Sequence, residues 1–146
     1  MVTILKAQKE HLPKIAFLFD KYRVFYEQPS DIKAAKKFLE ERLARNESIL
    51  FLAMYNGSEA GFTQLYPTFS SVSLRPSLIL NDLYVAESFR KKGIGEALLN
   101  HAKNFCKEQS FKGLALETAV QNPAQRLYER LGWKKDSHCF HYFWKA

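Results

Sequence analysis

Leu80-Asn81-Asp82-Leu83-Tyr84-Val85, followed after a short gap by Arg90-Lys91-Lys92-Gly93-Ile94-Gly95, is the stretch on which the fold turns. An apolar run that reads as a strand enters a loop of consecutive cations and glycines. The loop opens directly into Ile94–Cys106, where Ile94, Ala97, Leu98, His101, Ala102 and Phe105 recur at helical spacing. A helix N-terminus carries N–H groups with no intrahelical partner and a partial positive charge. Glycine lets backbone approach a ligand closely because it has no Cβ. With Arg90, Lys91 and Lys92, the segment suits a pyrophosphate. It is neither G-x-x-x-x-G-K-[ST] nor G-x-G-x-x-G, which excludes the P-loop and the dinucleotide fingerprint. The competing reading is a basic turn whose glycines permit close helix packing.

Downstream, Gly113 separates this helix from a strand over Leu114–Val120. Asn122-Pro123 opens the next helix, with Asn122 as cap and Pro123 in its first turn. Ala124, Leu127, Tyr128 and Leu131 share a face, and Gly132 ends it. An aromatic strand over Cys139–Lys145 is expected in the tail. Upstream, Ser77–Val85 reads as a strand preceded by a serine-rich loop over Ser70–Pro76. Ser48–Tyr55 and Gly61–Tyr66 form a hairpin through Asn56-Gly57, a pair that accepts positive φ, with Pro67 ending the return strand. Two helices come before it. One carries Leu12, Ile15, Phe19, Tyr22 and Tyr26, and the other, capped by Ser30 or Asp31, carries Ile32, Ala35, Phe38, Leu39 and Leu43. Val2–Leu5 is a first strand. The order is β-α-α-β-β-β-α-β-α-β-(β). The late strand–helix–strand crossover implies a central parallel pair in a mostly antiparallel sheet flanked by helices, an α/β fold.

The chain of 146 residues suits a single domain, 1–146. Hydrophobic residues at 47% and charged residues at 25% exclude fibrous and disordered classes. Ile49–Tyr55 falls far short of the ~20 apolar residues of a membrane span, so no membrane partner is expected. The N-terminus lacks the pattern of a secretory signal, and Cys106 and Cys139 make no disulfide scaffold; a cytoplasmic setting is expected. A net charge of +7 favours an anionic partner.

Arg90, Gly93 and Gly95, then Asn122, Tyr128 and Gly132-Trp133, match in order and spacing the motifs of the GNAT superfamily of acyl-CoA-dependent N-acetyltransferases, which the chain resembles over essentially its whole length. The resemblance implies transfer of an acetyl group from acetyl-CoA to a primary amine by direct attack. It implies that the backbone of Arg90, Lys91, Lys92, Gly93, Ile94, Gly95 and Glu96 holds the pyrophosphate. Leu83, Tyr84 and Val85 would pair with the pantetheine arm as a false strand. Asn122 would hydrogen-bond the same arm, and the Tyr128 hydroxyl would sit near the thioester sulfur. A backbone N–H near Val85 would steady the developing oxyanion.

The amine must lose a proton and the thiolate must gain one. Tyr128, protonated at neutral pH, can donate; it can also be plain core beside Leu127 and Leu131. The base is open. A polyamine-acetylating branch of the family carries Glu before an Asp, and here Asn81 stands in the Glu position. Asp82, Glu117 and a water chain remain alternatives. The Asn-Asp-Leu-Tyr-Val run resembles a histone/polyamine acetyltransferase-like branch and hints at a basic amine.

His138 and His141, three apart on the expected strand, would face opposite ways, so no metal site is expected. Cys106 and Cys139 read as small buried hydrophobes. Phe17 and Phe25 either line the acceptor pocket or are partly exposed; the pocket itself would be built from the first two helices and the loop Tyr66–Pro76. The aromatic tail favours a homodimer. A non-catalytic acyl-CoA sensor and a basic nucleic-acid or protein-binding module are the competing functions, nucleic acid being the disfavoured partner.

Overall fold

Apolar runs without polar alternation need cover on both faces. Ile49–Tyr55 is such a run, and it lies inside a sheet covered on both sides. The computed structural model describes residues 1–146. In chain order its elements are β1 (Val2–Lys6), α1 (Leu12–Phe25), α2 (Ile32–Ala44), β2 (Ile49–Tyr55), β3 (Ser58–Ser70), β4 (Arg75–Val85), α3 (Ile94–Glu108), β5 (Leu114–Ala115) and α4 (Gln125–Arg130). The strands lie in the order β1-β2-β3-β4-β5. All neighbours are antiparallel except β4 and β5.

Alternation along β2 divides the core. Leu50 and Leu52 join Leu12, Ile15, Phe19, Leu39 and Phe62 beneath α1 and α2. Phe51 and Ala53 join Leu65, Leu78, Leu80, Leu98, Leu99 and Ala102 beneath α3. Asp31 caps α2 by accepting from Ala34 N–H at 3.0 Å. Asn56 and Gly57 turn the β2–β3 hairpin with φ of 48° and 83°, the signs a two-residue turn of this hand needs.

One irregularity positions the site. Gln64 faces Asp82 and Leu65 faces Leu80, so Asn81 is an extra residue on β4. Such a bulge reverses the alternation beyond it. Leu78 and Leu80 point to the α3 face. After the bulge, Leu83 and Val85 take that face, and Tyr84 turns to α1 and α2. Next to it, Gly61 lets β3 approach β4 closely: a Cβ there would lie 2.6 Å from the Tyr84 carbonyl oxygen. Gly61→Ala must displace backbone, and we expect a loss of about 2 kcal/mol. It would be read as a lower urea midpoint at unchanged m-value, and an unmoved midpoint would show that β4 yields freely.

Several expectations need correction. The strand over Leu114–Val120 pairs with β4 only at Leu114 and Ala115, and the tail over Cys139–Lys145 forms no strand. A strand needs a neighbouring ladder, and the chain beyond Ala115 presents none. Phe140, Tyr142, Phe143 and Trp144 are exposed, as is Cys139, which is therefore no buried hydrophobe. The parallel pair consequently lies at the sheet's edge, not its centre. Pro67 does not end β3, which runs on to Ser70 against β4. Its pairing with β2 stops at Leu65, so the edge beyond has no donor to lose to a proline. The serine-rich loop is thereby reduced to a tight turn.

Candidate active site

Beyond Ile79, β4 separates from β5, and no strand pairs with its outer side from Leu80 to Val85. That divergence opens the sheet between two cavities.

The first follows Val85. Lys91 has φ +62° and Gly93 +78° on either side of Lys92, which has negative φ. Alternating signs turn successive N–H groups into one concavity, an anion-binding shape, and it ends at the N-terminus of α3. Gly93 is the left-handed residue that caps this helix. A cleft of about 230 Å³ lies here, lined by Val85, Phe89, Arg90, Lys91, Gly93, Ile94, Gly95, Glu96, Leu127 and Arg130. The Arg90 side chain is turned back, donating from Nε to the Val85 carbonyl at 3.0 Å. Lys92 lies over the Tyr55 ring. The backbone, with Lys91, is therefore what faces the cleft. Arg130 forks onto Glu96 with two contacts of 3.2 Å and offsets a carboxylate that would otherwise oppose an anion. Phe89, Leu127 and Arg130 were not foreseen. Helical spacing from Tyr128 locates α4 against α3, but only the packing shows which of its residues reach the loop.

The second cavity, about 490 Å³, lies between α1, α2 and the bulge. Phe19, Tyr22, Arg23, Tyr26, Gln28, Ala34, Ala35, Phe38, Tyr66, Asn81 and Asp82 line it. Both helices contribute as expected, whereas from the expected loop only Tyr66 does. Phe17 and Phe25 are exposed and outside it. Asp82 is 3% exposed. It accepts from Asn81 Nδ2 at 3.0 Å and from Gln64 Nε2, and the Tyr22 hydroxyl, which donates to the Asn81 carbonyl at 3.3 Å, also lies within its reach. Burial pushes the Asp82 carboxyl above the usual carboxylate range, against the pull of these donors. Tyr66 is pushed up to about 12, by burial first and the Asp82 charge second. Burial and Asp82 raise Tyr22 further. The buried Gln64, whose Oε1 accepts nothing, is a positioning group the sequence reading passed over. Its signal was a lone amide in the strand expected over Gly61–Tyr66.

Tyr128 lines neither cavity, but it follows Leu127, which lines the first, and its hydroxyl feels Tyr26, which lines the second. It packs edge-on to Trp133 at 6.2 Å, and burial raises its hydroxyl, with Tyr26 of the second cavity adding to the shift. The end of α4 holds it in register. Gly132, at φ +101°, donates to Glu129 and Trp133 donates to Tyr128, the paired bonds of a Schellman motif. Regular α4 starts at Gln125, later than expected, but Asn122 Oδ1 still accepts from Ala124 N–H at 2.9 Å, leaving the Asn122 amide hydrogens free. Glu117 is 76% exposed, pairs with His141 at 3.0 Å and lines neither cavity. No cluster of three His, Cys, Asp or Glu side chains could hold a metal. No helix is long and apolar enough to cross a membrane.

Comparison with known proteins agrees with the fold. The family model for the acetyltransferase (GNAT) family matches residues 15–133. The chain is 44% identical over 142 residues to the uncharacterized N-acetyltransferase YhfO of Bacillus subtilis (strain 168), covering 97% of this chain and 95% of that protein. It is 30% identical over 139 residues to a probable acetyltransferase of Haemophilus influenzae (strain ATCC 51907 / DSM 11121 / KW20 / Rd), covering 86% of this chain and 95% of the relative. The crystal structure of a probable acetyltransferase superposes with a TM-score of 0.93 at 41% identity, over 99% of this chain and 97% of that one. With a five-stranded mixed sheet, one parallel pair and four helices, the chain belongs to the GNAT acetyltransferase family and is an acetyltransferase.

Proposed function

We propose that the protein moves an acetyl group from acetyl-CoA to a primary amine by direct attack, with the two cavities as its two substrate sites. The observation that carries this reading is the pairing of a basic, backbone-lined cleft with an aromatic cavity holding a buried carboxylate, with Tyr128 next to Leu127 of the one and near Tyr26 of the other.

The residues present fit acetyl-CoA. The concavity from Arg90 to Glu96 suits the diphosphate, and the side of β4 without a strand partner at Leu83, Tyr84 and Val85 suits an extended amide-bearing arm once Arg90 releases the Val85 carbonyl. The free amide hydrogens of Asn122 can donate to that arm. Acetyl-CoA supplies a carbonyl open to attack and a thiolate leaving group. The chain supplies the proton traffic and the alignment. Asp82, held by Gln64 and Asn81, takes the proton from the incoming ammonium; its raised affinity for protons suits a base working nearer neutrality than an exposed aspartate. Tyr128 keeps its proton at neutral pH and gives it to the departing sulfur. Holding both reactants across the opening of β4 contributes the rest of the rate.

Tyr128→Phe keeps the ring against Trp133 and removes only the proton donor. Turnover, followed as free CoA release, should fall about tenfold or more, with acetyl-CoA affinity within about twofold of the parent. Equal turnover would take Tyr128 out of the mechanism. A basic binding module without catalysis would instead show no thermal stabilisation by micromolar CoA and a nucleic-acid affinity falling steeply with salt.

A further inference from the structure

The lining of the aromatic cavity is specific enough to name a class of amine, and this deepens the reading of that cavity as the acceptor site. Five rings surround it: Phe19, Tyr22, Tyr26, Phe38 and Tyr66. Its volume of about 490 Å³ suits a small molecule. The charges are few. Asp82 is the one carboxylate in the lining, and two of its acceptor positions are already taken by Gln64 and Asn81. Arg23 is the one cation. The Arg23 Nη1 donates to the Pro29 carbonyl at 3.3 Å, and its other N–H groups are uncommitted.

A polyamine or an aminoglycoside brings several ammonium groups and needs several acids to receive them. This cavity has one acid, also carries a guanidinium in its lining, and sits in a chain of net charge +7. A single amine on an aromatic body is matched by the remaining capacity of Asp82 and by edge-to-face packing against the rings. The half-buried guanidinium would then face the substrate unanswered unless the substrate brings an anion, and a carboxylate answers a guanidinium with two parallel hydrogen bonds. We propose that the acceptor is a small aromatic amine that also carries a carboxylate, with the amine at Asp82, the ring among the tyrosines and the carboxylate at Arg23.

The test measures kcat/KM by CoA release for L-phenylalanine, 2-phenylethylamine, spermidine and kanamycin. Phenylalanine should exceed phenylethylamine by about tenfold and the two polycations by about a hundredfold. Arg23→Gln should reduce the phenylalanine-to-phenylethylamine ratio at least fivefold, and Arg23→Lys should restore part of it. A preference for spermidine or kanamycin, or an unchanged ratio in Arg23→Gln, would overturn the assignment while leaving acetyl transfer intact. Where no amine releases CoA, calorimetry of L-phenylalanine on CoA-saturated protein decides. Binding weakened in Arg23→Gln supports the assignment, and absence of heat overturns it. Failure of CoA itself to bind removes the acetyltransfer reading.

Discussion

Asp82→Asn should lower turnover by at least about a hundredfold and yet melt no lower than the parent at neutral pH. The two halves of this result come from one cause. The parent buries a carboxyl whose charge is poorly solvated, so its proton affinity in the folded chain exceeds that in the unfolded chain. Stability from such a group is fully present below the unfolded value, about 4, and is lost as pH rises through the raised folded value. Asparagine has nearly the same shape and no charge to bury. It can still accept from Asn81. Its own N–H can reach Gln64 once that amide turns to present its unpartnered Oε1, with the Gln64 NH₂ then towards the neighbouring Tyr66 hydroxyl. The difference in Tm, variant minus parent, should therefore be smallest in acid and grow as pH passes the Asp82 titration. Activity should move the other way. The parent should show an acid limb in kcat/KM above the range of an exposed carboxylate, and the variant should lose that limb along with its rate. Turnover within threefold of the parent would assign the proton to a water chain. A Tm that drops equally at every pH would mean Asp82 serves the strand rather than the reaction.

The sequence left open which face of its strand Asp82 takes, and the structure puts it in the aromatic cavity. The run Leu78-Ile79-Leu80-Asn81-Asp82-Leu83-Tyr84-Val85 was readable as a strand. Its period was not, because apolar residues at 78 and 80 are followed by 83 and 85, a break of three. Strict alternation would set Leu80 and Asp82 on one face. The bulge at Asn81 separates them, and only pairing with Gln64 and Leu65 reveals it. Glu117 was another option as long as its strand was expected to continue; with pairing limited to Leu114 and Ala115, it stands exposed beside His141. Local chemistry was legible where the backbone alone decides. Asn56-Gly57, Asp31 before α2, and Gly132 after α4 each act within a few residues of sequence. The loop Arg90–Gly95 belongs to this class as well, since its concave backbone rests on successive φ values. The aromatic cavity does not. Tyr22 and Tyr26 were visible as a helical stripe, and nothing local says that the stripe meets Tyr66 and Asn81 across a gap. The tail failed for a related reason. Aromatic composition records a preference for pairing, and the structure supplies no edge for it to pair with.

Gly93→Asp should weaken CoA binding by at least about a hundredfold, and the companion Gly93→Asn should separate the causes. Gly93 adopts φ +78°, where any other residue carries strain of roughly 1–2 kcal/mol, least for Asn and Asp. Space is not the obstacle, since a Cβ there meets nothing within 4 Å. Both variants should thus fold, with similar and modest losses in Tm. What differs is charge. An aspartate side chain at the mouth of the α3 N-terminus would set a carboxylate among N–H groups meant for an anion, neutralising the positive end of the helix and repelling the diphosphate. At an effective dielectric near 20, two unit charges about 4 Å apart interact by roughly 4 kcal/mol, ample for a hundredfold loss even after partial solvation. Asparagine brings the same bulk and backbone preference without the charge, and should lose about tenfold or less. The gap between the two variants should narrow at high salt, because the mouth is solvent-exposed and screening acts there. Equal losses in the two, unaffected by salt, would make backbone strain the cause and demote electrostatics. Undiminished CoA affinity in Gly93→Asp would mean that the turn after Val85 is not where the diphosphate is held, and the roles assigned to the residues from Arg90 to Glu96 would fall with it.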